Sequence, residues 1–211
     1  MAINQFEFRA YVPAIDDGLI PQWVARMRRA GIWCEIDPAF SFDAPHIYVQ
    51  FCLRVERSPR SELLDRQCLS GFRLDIQPFC LTESMAAMPN AALTSFTNNN
   101  PIPNRYFSSA RGDKALARCT KRLSLSSQFG DSLEFRVASA SAAILARLTW
   151  GMCARADNSA WYSPQWDAQH ALDLACAYEA SIAPSKLRLR PFVGWGEGSD
   201  QTTSAPMALE P

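Results

Sequence analysis

Apolar and polar residues alternate in several short segments of the first 90 residues, a pattern that is typical of β-strands. The clearest segment is "HIYVQFCLRVE", residues 46–56, which is also rich in β-branched and aromatic residues. Further strands are predicted at 5–12, 32–36 and 71–79. Residues 20–31 instead carry apolar side chains at helical spacing, between Pro21 in the first turn and Gly31 at the end. This part of the chain therefore predicts a βαβ unit that continues into a hairpin or meander.

The second part of the chain repeats the order of strand, helix and strand. Residues 132–139, "SLEFRVAS", predict a strand, and residues 140–156 predict a helix with Ile144, Leu148 and Met152 at spacing four. After them the pattern predicts a short strand at 159–165, a helix at 167–181 that Asp167 caps, and a strand at 186–195. Before them, residues 113–123 predict a short basic helix, which we interpret as a solvated helix face.

These elements predict an α+β fold in which antiparallel or mixed sheets are covered by helices. The polar stretch 94–112 is rich in Asn, Pro and Ser and predicts a loop that joins an N-terminal half, 1–93, to a C-terminal half, 113–196. Residues 197–211 predict a tail that buries little. "FEFRAYV" in the first half is similar to "LEFRVAS" in the second, so the two halves could be related or the likeness could be chance.

Composition excludes several classes of protein. Lysine plus arginine and aspartate plus glutamate both number 21, so no basic excess indicates direct binding of nucleic acid. The chain begins without a secretion signal and has no run of 18 apolar residues, so we expect a cytoplasmic protein that does not cross a membrane. Glycine is sparse and no Gly-rich loop is present to hold phosphates, so no cofactor is predicted.

The seven cysteines are odd in number and widely scattered, and none forms a C-x-x-C pair. Most of them lie inside apolar runs, where free cysteine packs as a small hydrophobic residue. We therefore expect buried thiols in a reducing compartment and no metal site.

Candidate catalytic residues are few, because the chain has only two histidines, His46 and His170. His46 precedes a predicted strand, and His170 lies in the first turn of a predicted helix, three residues after Asp167. A nucleophile can meet either histidine in space without being near it in sequence. A small cofactor-free hydrolase or transferase that uses His170 is therefore the alternative to a binding protein.

Aromatic residues give the strongest indication of function. "AWYSPQWDA" and "PFVGW" resemble two elements of the immunity protein 52 family of bacterial antitoxins. The first element falls on Trp161, Pro164 and Trp166, with the proline one residue later than in the family pattern, and the second falls on 193–195. The resemblance covers about the last 80 residues. The family continues its strand after the second element, whereas this chain runs into the glycine-containing segment 196–198.

The resemblance implies a protein that inhibits by binding. Members of this family resemble inhibitors of secreted toxins, often nuclease-like, that bacteria deliver by specialised systems such as type VI secretion. Because aromatic side chains dominate tight interfaces, the predicted partner-binding residues are Trp161, Tyr162, Trp166, Asp167, Trp195 and Glu197. Asp167 and Glu197 would pair with a basic substrate cleft of the cognate toxin.

Overall fold

The computed structural model describes residues 6–86, 114–155, 161–162, 168–195 and 207–208, with the backbone alone at 85–86, 155, 161–162, 168–170 and 207–208. The helices are α1 Ile20–Arg29, α2 Leu81–Ala86, α3 Glu134–Leu148 and α4 Ala168–Ser181. The strands are β1 Glu7–Val12, β2 Ile32–Ile36, β3 His46–Val55, β4 Gln67–Pro78, β5 Lys121–Ser126, β6 Met152–Arg155, β7 Trp161–Tyr162, β8 Arg188–Pro191 and β9 Met207–Ala208. The predicted α+β class is confirmed.

Seven of these strands form a curled antiparallel sheet in the order β2-β3-β4-β5-β1-β6-β7. Strand β8 pairs with β4, and β9 pairs with β8. The first strand of the chain, β1, lies between β5 and β6, which both come from the second part of the chain. Strands from both predicted halves are therefore hydrogen-bonded to one another. The joining stretch 94–112 and most of the tail lie outside the described residues, and the division into halves stays a prediction.

Strand β4 carries two different neighbours along one of its edges. Its other edge pairs with β3 from Gln67 to Asp75. On the shared edge, Leu69 pairs with Arg190 of β8, whereas Arg73 pairs with Ser126 of β5. The sheet thus divides between these two positions, and we call this place the fork.

Helix α3 packs against one face of the sheet and is buried on every side from Glu134 to Ala146. Its middle consists mostly of alanine and serine, whose small side chains let the helix approach the strands and helices α1 and α4 closely. Trp23 of α1 donates its indole N–H to the Ser141 hydroxyl at 3.2 Å. The same indole lies among the rings of four phenylalanines, Phe40, Phe42, Phe51 and Phe72. This aromatic cluster is the centre of the core.

The first-part predictions are confirmed in type. Strand β1, helix α1, β2 and β3 lie where the pattern places them, and Gly31 ends α1 with a φ of 80°. Strand β4 begins four residues earlier than predicted, at Gln67. None of the helices in the described part of the chain combines the length and apolar character that crossing a membrane requires.

The strand predicted at 132–139 is wrong, because α3 begins at Glu134. Its apolar and polar residues alternate, but all of them are buried in the helix, so no amphipathic 3.6-residue period appears in the sequence. The two similar segments, "FEFRAYV" and "LEFRVAS", therefore adopt different structures, because the first forms strand β1 and the second begins helix α3. The helix predicted to 156 ends at Leu148, and the last residues of the predicted basic helix belong to β5 instead. Strand β8 occupies only four of the ten residues predicted at 186–195.

Candidate functional site

Two of the predicted partner-binding residues, Trp161 and Tyr162, form β7 at one end of the sheet. Trp161 is paired with Ala154 and Tyr162 with Cys153, both in β6. Among the described residues β7 has no strand on its other side. Trp166, Asp167 and Glu197 lie outside the described residues.

Trp195 lies in a different part of the sheet. It follows β8, and its ring packs edge-on against Phe192 with 4.8 Å between the ring centroids. Val193 between them is 84% exposed. Because β8 pairs with β4, strands β5, β1 and β6 separate this segment from β7 along the sheet. The structure does not bring Trp195 to the edge that holds Trp161 and Tyr162.

Trp150 is an aromatic residue that the sequence did not single out. Its side chain is 73% exposed, and its backbone has a φ of 57°. Positive φ is rare for a bulky residue, because the β-carbon then crowds the backbone. Such a conformation persists only where the surrounding structure imposes it, and it occurs often at functional sites.

The way in which helix α3 ends explains why the backbone turns so sharply at Trp150, because a left-handed residue commonly follows the last turn of a helix. The next residue, Gly151, lies against β1, and a β-carbon on it would stand 1.9 Å from the Tyr11 carbonyl oxygen. Its N–H donates to the Ala146 carbonyl at 2.7 Å and closes the end of α3. Glycine is therefore required at 151, and Trp150 is the left-handed residue that ends α3. A tryptophan directly before a glycine, after an apolar helical pattern, was the signal in the sequence.

Trp150 and β7 flank the same strand, β6. Trp150 precedes the first residue of β6 by two positions, and β7 pairs with the second and third residues of that strand. We call Trp150, β6 and β7 the β6–β7 edge. It combines an exposed aromatic side chain with the end of a sheet, as protein-binding surfaces often do.

A buried charged network fills the fork. The Arg190 guanidinium donates to the Asp131 carboxylate at 3.3 Å and to the Tyr48 hydroxyl at 2.7 Å. It lies over the ring of Phe129, 4.6 Å from the ring centroid. Burial raises the pKa of Asp131 to about 6, although Arg190 and the N–H of Leu133 act in the opposite direction.

Glu134 joins this network to the start of α3. Its carboxylate accepts hydrogen bonds from three consecutive backbone N–H groups at 128–130, with distances of 2.9 to 3.2 Å. Burial raises its pKa, and these three donors lower it. All these groups hold the 128–133 loop against β3 and β8, so we assign the network to the fold.

A second buried ion pair joins α3 to α4. Arg136 donates to both carboxylate oxygens of Glu179 at 2.7 Å, and the Ser58 hydroxyl donates to the same carboxylate at 2.6 Å. Arg136 also donates to the Arg57 carbonyl at 2.8 Å. Removing one partner of a fully buried pair costs about 3–5 kcal/mol, because the other charge is left uncompensated. This pair therefore fixes the position of α4 on α3.

The two histidines are placed differently. His46 is 60% exposed in its side chain, and its Nδ1 lies 2.5 Å from the Asp75 carboxylate, which Arg73 also contacts at 3.2 Å. The backbone of His170 lies in the first turn of α4, as predicted, but its side chain is outside the described part of the structure. The described residues contain no group of three or more His, Cys, Asp or Glu side chains arranged to hold a metal ion.

The cysteines are free thiols, as their positions in apolar runs predict. Five of them are buried: Cys34, Cys52, Cys68, Cys119 and Cys153. Burial raises the pKa of Cys34 to about 12 and that of Cys68 to about 11, which keeps these thiols in the unreactive protonated form. Cys80 and Cys176 are partly exposed, contrary to the prediction of burial.

No family model matches the chain, and no curated protein and no solved structure matches it. The indications of function are therefore the geometry of the described residues and the two short elements that resemble the immunity protein family. Of the sites described, the β6–β7 edge is the one whose exposed aromatic side chain has no role in holding the fold together.

Proposed function

We propose that this chain is an immunity protein that binds a cognate secreted bacterial toxin, such as a nuclease, and neutralises it in a tight one-to-one complex. The observation that carries the proposal is Trp150, which is 73% exposed on a backbone with a φ of 57°. Burying a large aromatic side chain in a partner is favourable, whereas keeping it in water is not. The partner class comes from the resemblance of 160–168 and 191–195 to the antitoxin elements.

The β6–β7 edge supports docking at this place. Trp161 and Tyr162 were predicted to bind the partner, and their backbone lies beside the strand that Trp150 introduces. Tight interfaces concentrate their energy in a few aromatic or arginine anchors near the centre. Three aromatic residues at one end of a sheet satisfy this requirement without any catalytic group.

The test replaces Trp150 by glycine and by asparagine, the residues that adopt positive φ most readily. Both variants should be at least as stable to thermal unfolding as the parent, because the strain at this position is relieved. They should nevertheless bind the toxin encoded beside this gene at least about 30-fold more weakly, since an anchor contributes about 2 kcal/mol or more. Affinity is measured by titration calorimetry, and protection is measured by the growth of cells that also produce the toxin.

Val193→Ala is the matched control, because Val193 is an exposed apolar residue away from the β6–β7 edge. It should leave both affinity and protection unchanged. Trp166→Ala and Asp167→Ala extend the test to predicted residues outside the described part of the chain. Parent-like affinity in both Trp150 variants would exclude this edge as the interface. If the parent chain itself binds no neighbouring toxin, the immunity function is wrong.

A further inference from the structure

We infer that the face of the sheet opposite α3 holds a binding site for a phosphate group, formed by Arg9 and Arg122 with Ser124 and Tyr11. The pairing of β1 with β5 places Arg9 opposite Ser124 and Tyr11 opposite Arg122. Residues that face each other across two strands lie on the same side, as do every second residue along each strand. The two arginines are therefore diagonal neighbours on one face, and Tyr11 and Ser124 occupy the other diagonal.

The charge of Arg122 has no carboxylate partner among the residues that the structure describes. Its one hydrogen-bonded partner among the described residues is the neutral amide oxygen of Gln77. Its Nε–H is buried and has no hydrogen-bond acceptor there. A buried guanidinium N–H without an acceptor is unfavourable, so such groups usually contact a water molecule or an ion.

The rest of the site supplies donors and an opening. Burial raises the pKa of the Tyr11 hydroxyl, while the charges of Arg9 and Arg122 beside it lower that pKa. Its ring packs edge-on against Phe79, which closes the site on that side. Arg9 is 25% exposed in its side chain, and Ser124 is half-buried, so a ligand reaches the site from their side.

The carboxylates that β1 and β4 place on this face are already engaged. Glu7 accepts from the Nε of Arg9 at 2.8 Å, and Asp75 contacts His46 and Arg73. Two guanidinium forks and two hydroxyl groups offer more donors than one carboxylate accepts. Phosphate has several strong acceptor oxygens and pairs with arginine in a two-pronged geometry, so it matches this donor set. The site does not involve the β6–β7 edge and does not depend on the proposed partner.

The test follows the Nε–H resonance of Arg122 by nuclear magnetic resonance while inorganic phosphate replaces chloride at constant ionic strength. A saturable shift in the millimolar range is expected for Arg122 and Arg9, and no shift is expected for the exposed Arg29 of α1. A parallel titration with phosphoserine tells whether the site prefers free phosphate or a phosphate ester, and saturation by either supports the proposal. Saturation by acetate at the same concentration would overturn the assignment to phosphate.

Arg122→Gln and Arg9→Gln should each weaken phosphate binding by about tenfold or more, since each removes charge-assisted hydrogen bonds. Arg29→Gln is the matched control and should bind as the parent does. If Arg122→Gln does not fold, Arg9→Gln and Ser124→Ala test the same site from its open side. Phosphate affinity equal to the parent in the folded variants, or a shift of Arg122 no larger than that of Arg29, would show that water alone fills the site.

Discussion

Asp131 is almost completely buried in the fork, and the burial of its charged carboxylate reduces the stability of the surrounding fold. Its position is well supplied with partners, because the Leu133 N–H donates to it at 2.7 Å and Arg190 at 3.3 Å. Burial nevertheless outweighs them and raises its pKa from 3.8 to about 6. The folded protein therefore holds a proton on Asp131 more tightly than the unfolded chain does.

This shift predicts how stability changes with pH. Below about pH 4 both states carry the proton, and between about pH 4 and 6 only the unfolded state loses it, so folding becomes less favourable as pH rises. The difference in free energy of unfolding between the parent and Asp131→Asn should fall over this range, by at most about 1.4 kcal/mol per pH unit. Denaturant unfolding at several pH values measures it, and Asp43→Asn at an exposed carboxylate is the control. A difference that rises with pH would mean that Arg190 outweighs burial.

At the scale of elements, the β2 end of the sheet is protected against pairing with a further strand. Strand β2 pairs only with β3 among the described strands, so its outer edge offers backbone groups to other chains. Arg28 of α1 donates its Nε–H to the Cys34 carbonyl at 3.0 Å and lies over the Trp33 ring. Hydrogen-bonding directions alternate along a strand, so this carbonyl points away from β3. Arg28 therefore blocks pairing at this end of the sheet.

Without the Arg28 side chain, the outer edge of β2 should pair more readily with other chains. Arg28→Ala is expected to raise the tendency to self-associate several-fold, as measured by sedimentation velocity over a range of concentrations. Arg29→Ala removes the neighbouring charge from an exposed position and is the matched control. Equal sedimentation of the two variants would show that Arg28 does not protect the edge.

The elements also show what the sequence reveals and what it hides. Strand β3 and helix α1 each bury one face, so their apolar periods of two and 3.6 are visible in the sequence. Helix α3 buries every face and has no such period, so its first residues were mistaken for a strand. The requirement for glycine at 151 arises from its contact with Tyr11, 140 residues away in the chain, so the local Trp150–Gly151 pair does not reveal it by itself. The diagonal arrangement of Arg9 and Arg122 is likewise hidden in the sequence, because it depends on the pairing of β1 with β5.

At the scale of the whole molecule, β1 ties the two predicted halves together, because both of its neighbours belong to the second half. Neither fragment 1–93 nor fragment 113–211 should fold alone, since the first leaves β1 without partners and the second lacks the strand between β5 and β6. Mixing the two fragments should restore the circular dichroism spectrum of the intact chain. A cooperative thermal transition in either isolated fragment would instead support two independent halves.

The place of β1 in the sheet also determines when this strand can pair during synthesis. β1 leaves the ribosome before either of its partners, which end at Ser126 and Arg155, so it waits for more than 100 residues of further chain. At about 5–20 residues per second this delay lasts roughly 6–30 s. During that time both of its edges are open and it carries apolar residues such as Phe8 and Val12. The nascent chain therefore exposes an unpaired apolar strand until β5 and β6 have been synthesised, and chaperone capture during this interval should matter for its folding.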